Sequence, residues 1–278
     1  MPLRIVQSQQ NARLKELRRA LAQPGREPTG LVGIEGPHLV TEALRAGLRL
    51  RCVFAAQDAE SLLDPLHLPV RTEVLLLPRE ILSRALTTET PQPIAALIEP
   101  PCWNWSHVLG AGRKTAPLLL VLAGLQDPGN LGTILRSAEA FGADGILSLP
   151  GTVSPWNPKA MRASAGSVLR VPFLAVSERE AFTRLREAGV RTYVTTPLAS
   201  HPADLVNLAE PAALLIGNEG NGVPEELAAK ADQAITIPCP GPVESLNAAV
   251  AASVLLYEAA RQRAKPSGGP PNHRGDTR

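Results

Sequence analysis

The chain has 278 residues, a formal net charge of +2, 44% hydrophobic and 19% charged residues, a balance that excludes an intrinsically disordered protein and leaves room for two ordinary domains. No apolar run approaches the roughly 20 residues that span a bilayer, and the first residues lack the basic-then-apolar layout of a signal peptide. Three cysteines, Cys52, Cys102 and Cys239, form no CxxC pair, which points to a reduced cytoplasmic setting over a disulfide framework or a zinc site.

Basic residues crowd the start of the chain: Arg4, Arg13, Lys15, Arg18, Arg19 and Arg26 against Glu16 and Glu27. In "NARLKELRRAL" the leucines Leu14, Leu17 and Leu21 recur at helical spacing, so the charges fall on the other face, either as a solvated surface or as an RNA-contacting one. Over residues 1–99, "LVGIEG", "RCVFAA", "EVLLL" and "IAALIE" read as strands between helical patterns, a small α/β domain. The stretch "EPPCWNWSHVLGAGRKTAP" loses periodicity and marks a linker over residues 100–116. A second α/β series runs over residues 117–264, with strands expected at "LLLVLAG", "GILSL", "VPFLAV", "RTYVTT", "AALLIG" and "AITIP". The tail from residue 265 to 278 has nothing to bury and is expected to be disordered.

Three strand-to-helix turns of the second series carry small residues beside polar ones. In "LAGLQDPGNLGTILRSAEAFGADGILSL" the helix has a stripe of Leu131, Ile134, Leu135, Ala138 and Phe141, Gly142 stops it, Asn130 is placed to cap it, and Arg136 lies opposite the stripe. A cap and a solvent arginine account for this segment as well as a site does. In "AALLIGNEGNGVPEEL" the order G-x-x-G-x-G reverses the dinucleotide fingerprint, and Glu219 is either a loop acid or a carboxylate aimed into a cleft. In "IPCPGPVESLNAAVA" Ser245 is placed to cap the last helix, whose stripe is Leu246, Val250, Val254 and Tyr257, leaving Glu244 and Asn247 with no structural task. Turns at the carboxyl edge of one parallel sheet can share a ligand, and together the three favour a site.

These three segments, in this order and spacing, resemble the motifs of the SpoU (TrmH) family of RNA ribose 2′-O-methyltransferases, within the SPOUT superfamily. "SQQNARLKELRRAL", "GIEGPHLVTEAL" and "TTETPQPIAALIEP" are similar to the substrate-binding domain of two-domain members. The resemblance implies a parallel α/β catalytic domain with a deep trefoil knot, an exception to the rule against threaded loops, preceded by a ribosomal-protein-like α/β domain. It implies S-adenosylmethionine as methyl donor, held at Thr195, Gly217, Ile237 and Leu246 largely through backbone groups. It points to Arg136 as the central residue, with Asn130, Glu219, Ser245 and Asn247 around it. Because a guanidinium stays protonated in proteins, Arg136 is expected to grip a phosphate and fix the ribose, not to act as a free base. Glu219 is expected to orient Arg136 or Asn130.

RNA contacts are expected at Arg13, Lys15, Arg18, Arg19 and at Arg162 in "MRASAG", which as a plain surface arginine needs no further role. The implied partners are ribosomal RNA, with transfer RNA as the alternative, and a second copy of the chain whose arginine completes the site; no membrane and no metal are expected. The family often has methionine where this chain has Cys239. The resulting Pro-Cys pair is also similar to cytosine C5-methyltransferases, but the expectation is that Cys239 fills an apolar slot. A non-catalytic RNA-binding or assembly factor is the competing class.

Overall fold

A computed structural model describes residues 3–24, 30–110, 112, 115–197, 199–243 and 245–264. Arg26, Glu27, Glu244 and the tail from 265 to 278 lie outside the described residues. The first sheet is built from β1 (Leu3–Ile5), β2 (Val32–Glu35), β3 (Leu50–Ala56), β4 (Glu73–Leu77) and β5 (Ile94–Ile98), in the order β1-β4-β3-β5-β2. It is mixed: β4 runs parallel to β1 and β3, while β5 is antiparallel to β2 and β3. Helix α1 (Ala12–Ala22) is capped by the Asn11 side chain and buries Leu14, Leu17, Ala20 and Leu21. Helix α2 (Pro37–Arg45) follows Gly36, whose φ of +95° is open to glycine, and begins with Pro37, whose missing N–H costs nothing in a first turn. A short α3 (Arg79–Ser83) completes this part.

The stretch expected to be only a linker contains a helix, α4 (Trp105–Val108). Asn104 and His107 form a reciprocal cap, Val108 is buried with Leu119 and Leu147, and Trp105 Nε1 donates to Glu180 at 2.8 Å. The segment therefore packs on the second sheet as well as connecting to it.

That second sheet holds β6 (Leu118–Leu122), β7 (Gly145–Ser148), β8 (Phe173–Ala175), β9 (Arg191–Thr195), β10 (Ala212–Ile216) and β11 (Gln233–Ile235). All pairings are parallel, in the order β11-β9-β10-β6-β7-β8. Every residue of β6 and β10 is buried, as expected of strands covered on both faces. Helices α5 (Pro128–Ala140), α6 (Pro158–Ala163) and α9 (Ala248–Arg263) share one cluster of buried residues, and α7 (Glu178–Glu187) and α8 (Glu225–Ala228) contribute to the other. Helices α5 and α6 touch at Gly132, where a Cβ would lie 2.5 Å from the Ala160 carbonyl and from the Ala163 methyl. One apolar cluster takes in Ile34, Leu39 and Val40 of the first part together with Leu120, Leu131, Met161 and Leu169 of the second.

Two caps differ from expectation. Helix α5 starts at Pro128, and its N-cap is Asp127, whose carboxylate accepts the Asn130 amide at 2.8 Å; Asn130 sits inside the first turn. Helix α9 is capped by Asn247, not Ser245: Asn247 Oδ1 accepts the amides of Ala249 and Val250 at 2.9 and 3.3 Å. The stripe Val250, Val254, Tyr257 is also not core. These residues are 48%, 40% and 57% exposed, while Ala248, Ala249, Ala252, Leu255, Leu256 and Ala259 are buried.

Candidate active site

Strand order reverses between β6 and β10, which are neighbours although three strands lie between them in the sequence. Such a switch point leaves a crevice at the carboxyl ends of the strands. The turn after β6 and the turn after β10 meet there. Asn218 Nδ2 donates to the Gly124 carbonyl at 3.2 Å, and Gly124 itself has a φ of +71°. The loop after β10 closes tightly: Asn218 and Gly222 exchange backbone hydrogen bonds at 3.0 Å, and a Cβ on Gly217 would fall 2.1 Å from the Gly222 carbonyl carbon. No side chain fits at 217.

Glu219 projects from this loop into the start of α5. Its Oε1 accepts Asn130 Nδ2 at 2.8 Å and the Asp127 amide at 3.2 Å, and its Oε2 accepts the Gln126 amide at 3.4 Å. Partial burial alone would push this carboxyl up. The bonds from Asn130 and from the amides of Glu219, Asp127 and Gln126 outweigh that and hold it below the ordinary glutamate range. It is an orienting acceptor, and with its pKa held down a poor proton acceptor at neutral pH. Asn130, held by Glu219, offers its Oδ1 to Asn247 Nδ2 at 3.0 Å. Glu219, Asn130 and Asn247, from three separate motifs, thus form one relay. Asn130 commits both ends of its amide to the relay, while Asn247 commits its Nδ2 and keeps its Oδ1 for the cap of α9. Beside it, Lys159 pairs with Asp127 at 3.1 Å.

Other expected site residues stand apart. Ser245 is exposed and has no hydrogen-bond partner among the described residues. Arg136 is exposed, without a hydrogen bond or ion pair among the described residues, and lies ~9 Å along α5 from Asn130. A groove of about 300 Å³ between α5 and α9 is lined by Thr133, Phe141, Ala249, Val250, Ser253, Val254 and Tyr257. Cys239 is exposed and does not fill an apolar slot; its thiol reaches only the Ile237 carbonyl, at 3.4 Å.

The expected cofactor residues gather at the same edge. Thr195 ends β9 and its hydroxyl donates to the Leu215 carbonyl at 2.8 Å; Gly217 follows β10; Ile237 lies just past β11. From Ile237 to Leu246 no described residue makes a backbone–backbone hydrogen bond. Backbone groups left without backbone partners in this way are what a ligand recognised through backbone takes up.

On α1 the basic residues are not equivalent. Lys15 and Arg19 are exposed, whereas Arg13 is committed to Glu16 at 2.8 Å and Glu73 at 3.1 Å. Arg18 is half-buried, with its Nε shielded from solvent and unpaired. Arg162 is exposed on α6.

Residues 117–257 match the SpoU rRNA Methylase family, and residues 11–96 match the MRM3-like substrate binding domain. The chain belongs to the SpoU rRNA methylase family. Among its relatives in that family is the 23S rRNA (guanosine(2553)-2′-O)-methyltransferase RlmP of Bacillus subtilis, 32% identical over 91% of this chain and 97% of the relative. The SpoU methyltransferase AviRb from Streptomyces viridochromogenes, solved in complex with AdoMet, superposes with a TM-score of 0.78 at 28% identity, covering 91% of this chain and 98% of its own. An AdoMet-bound rRNA methyltransferase from Sinorhizobium meliloti gives 0.79 at 30% identity, covering 93% and 98%. The chain is accordingly an S-adenosylmethionine-dependent RNA 2′-O-methyltransferase of the SpoU type.

Proposed function

We propose that this enzyme methylates a ribose 2′-hydroxyl of ribosomal RNA in the cytoplasm, through a site built on Glu219, Asn130, Asn247 and Arg136. The observation that carries the reading is the Glu219–Asn130–Asn247 relay at the strand switch point. A factor that kept the fold only to bind RNA has no need of a carboxylate that holds two asparagine amides in register across three motifs.

Thr195, Gly217, Ile237 and Leu246 hold the cofactor. Bound S-adenosylmethionine supplies the electrophilic methyl carbon. The protein's part is orientation, which can provide a large share of the barrier reduction. Asn130 and Asn247, fixed by Glu219, position the ribose, and Ser245, two residues before Asn247, offers a hydroxyl to the bound RNA. Arg136 takes the adjoining phosphate bidentately. Residues 1–99 select the RNA through Lys15 and Arg19, with Arg13 and Arg18 in supporting positions, and Arg162 contacts the strand between the two domains. Residues 117–264 carry catalysis, and the C-terminal segment threads an earlier loop as a trefoil knot.

A second copy covers the α5–α9 face. Support comes from the apolar groove lined by Val250, Val254 and Tyr257 and from Arg136, exposed on α5 with no partner among the described residues. In this arrangement each Arg136 completes the neighbouring subunit's site.

The test is transfer of tritiated methyl from S-adenosylmethionine to purified ribosomal and transfer RNA, followed by alkaline hydrolysis. Label in ribosomal RNA within one hydrolysis-resistant dinucleotide is expected. Label confined to transfer RNA would reassign the substrate, and no label in either would leave the non-catalytic factor.

A further inference from the structure

The segment after α6 is shaped to receive helix α2 of the first domain. Ala165 and Gly166 are consecutive left-handed residues, with φ of +49° and +92°. The turn presents the Ala165 carbonyl to His38 Nε2 at 3.3 Å. A Cβ on Gly166 would lie 2.8 Å from Cβ and Cγ of Glu42, so the Glu42 stem rests on bare backbone. Glu42 is only 8% exposed, and its carboxylate accepts Arg45 Nη1 at 2.7 Å and Arg170 Nη1 at 2.6 Å.

Arg170 has a second partner. Its Nε and Nη2 both donate to Glu139, the latter at 3.2 Å. Glu139 belongs to α5, one turn beyond Arg136. One guanidinium therefore holds the first domain's α2 and the arginine-bearing helix together. Its planar fork can serve two carboxylates from different directions, which an ammonium does less well. Shielded ion pairs of this kind add little net stability but do specify geometry, since moving one member strands a charge.

We propose that Arg170 is a positioning residue: through Glu42 and Glu139 it sets the angle of the RNA-selecting domain against α5, so that an RNA held by the first domain presents its ribose at the switch-point site. The proposal rests on the domain roles given above.

The experiment uses full-length protein and ribosomal RNA purified from cells lacking this enzyme. Arg170→Met should raise KM for RNA roughly tenfold, the scale of one charge-assisted contact, with kcat and KM for S-adenosylmethionine within about twofold of wild type. Arg170→Lys should recover part of the loss. Glu42→Gln and Glu139→Gln should each raise KM for RNA, and the double variant should be no worse than the larger single, because a bridge cut at one end is already cut. An unchanged KM for RNA in folded Arg170→Met or Arg170→Lys, or additive effects of the two glutamines, overturns the proposal. Amide exchange over residues 37–45 separates its failure from that of the substrate assignment. If the wild type leaves ribosomal RNA unlabelled, faster exchange in Glu139→Gln still supports the bridge, and unchanged exchange still overturns it.

Discussion

The switch-point edge and the α5–α9 face beside it satisfy their side chains in opposite ways. At the edge, Glu219, Asn130 and Asn247 consume one another's hydrogen bonds, and the helix ends are capped from within the same chain. On the face, Arg136 has no partner among the described residues, and Val250, Val254 and Tyr257 stand in solvent over a groove. The first region is satisfied within the chain; the second leaves an arginine and three apolar side chains open to solvent. Under the proposed shared site, catalysis needs both and is complete only when the face is covered.

The sharpest way to break this contrast is at Arg136. Arg136→Ala should lower methyl transfer at least about a hundredfold, in the range for loss of one preorganised charge-stabilising group, while sparing the fold and S-adenosylmethionine binding. Arg136→Lys should fail too, since it keeps the charge and loses the two-pronged grip. Mixed with Asn247→Ala subunits, Arg136→Ala subunits should regain partial activity if sites are shared; an active Arg136→Ala homodimer would sink the mechanism.

Next in size is the face itself. Val254→Asp or Tyr257→Glu puts a charge into the groove and should yield monomers in sedimentation, with activity down roughly tenfold or more. A monomer of full activity would end the shared-site idea.

The edge should respond more mildly. Glu219→Gln keeps shape and replaces the charged acceptor with a weaker one, so kcat should fall about tenfold at unchanged KM for the cofactor. The sign with pH follows from the lowered Glu219 pKa. Its hydrogen bonds contribute fully above the ordinary glutamate range and are lost only as pH falls below that range, through the depressed folded value. Wild type should therefore show no Glu219 limb near neutrality in its kcat–pH profile.

Smallest is Cys239→Ala. The thiol is exposed and engages only the Ile237 carbonyl, so turnover should stay within about twofold. Abolished turnover would instead point to methylation of a base.

Strands and most buried stripes were legible in the sequence because they repeat locally: β2 to β11 fall where short apolar runs lie between turn residues, although the three-residue β1 carries too little pattern to stand out. Caps were harder. Asp127, Asn130, Ser245 and Asn247 are all good capping residues, and only backbone angles decide which one stops the chain; Pro128 at the first helical position was the available hint for Asp127. The stripe Val250, Val254, Tyr257 is exposed although its spacing is helical, because an apolar face left in solvent carries the same periodicity as one turned to the core. Cys239 gave no local sign of its exposure. The bond between Arg170 and Glu42 spans 128 positions, and no local pattern announces it.

The apolar cluster that runs from Ile34 and Leu39 into Met161 and Leu169 has a thermodynamic consequence. Two bodies that share buried surface do not choose their states independently. Holding the first in its folded, docked form makes the second costlier to open, and the reverse holds with equal strength. A ligand that binds only the docked form of one body therefore also protects the other against opening, with no moving part required between them.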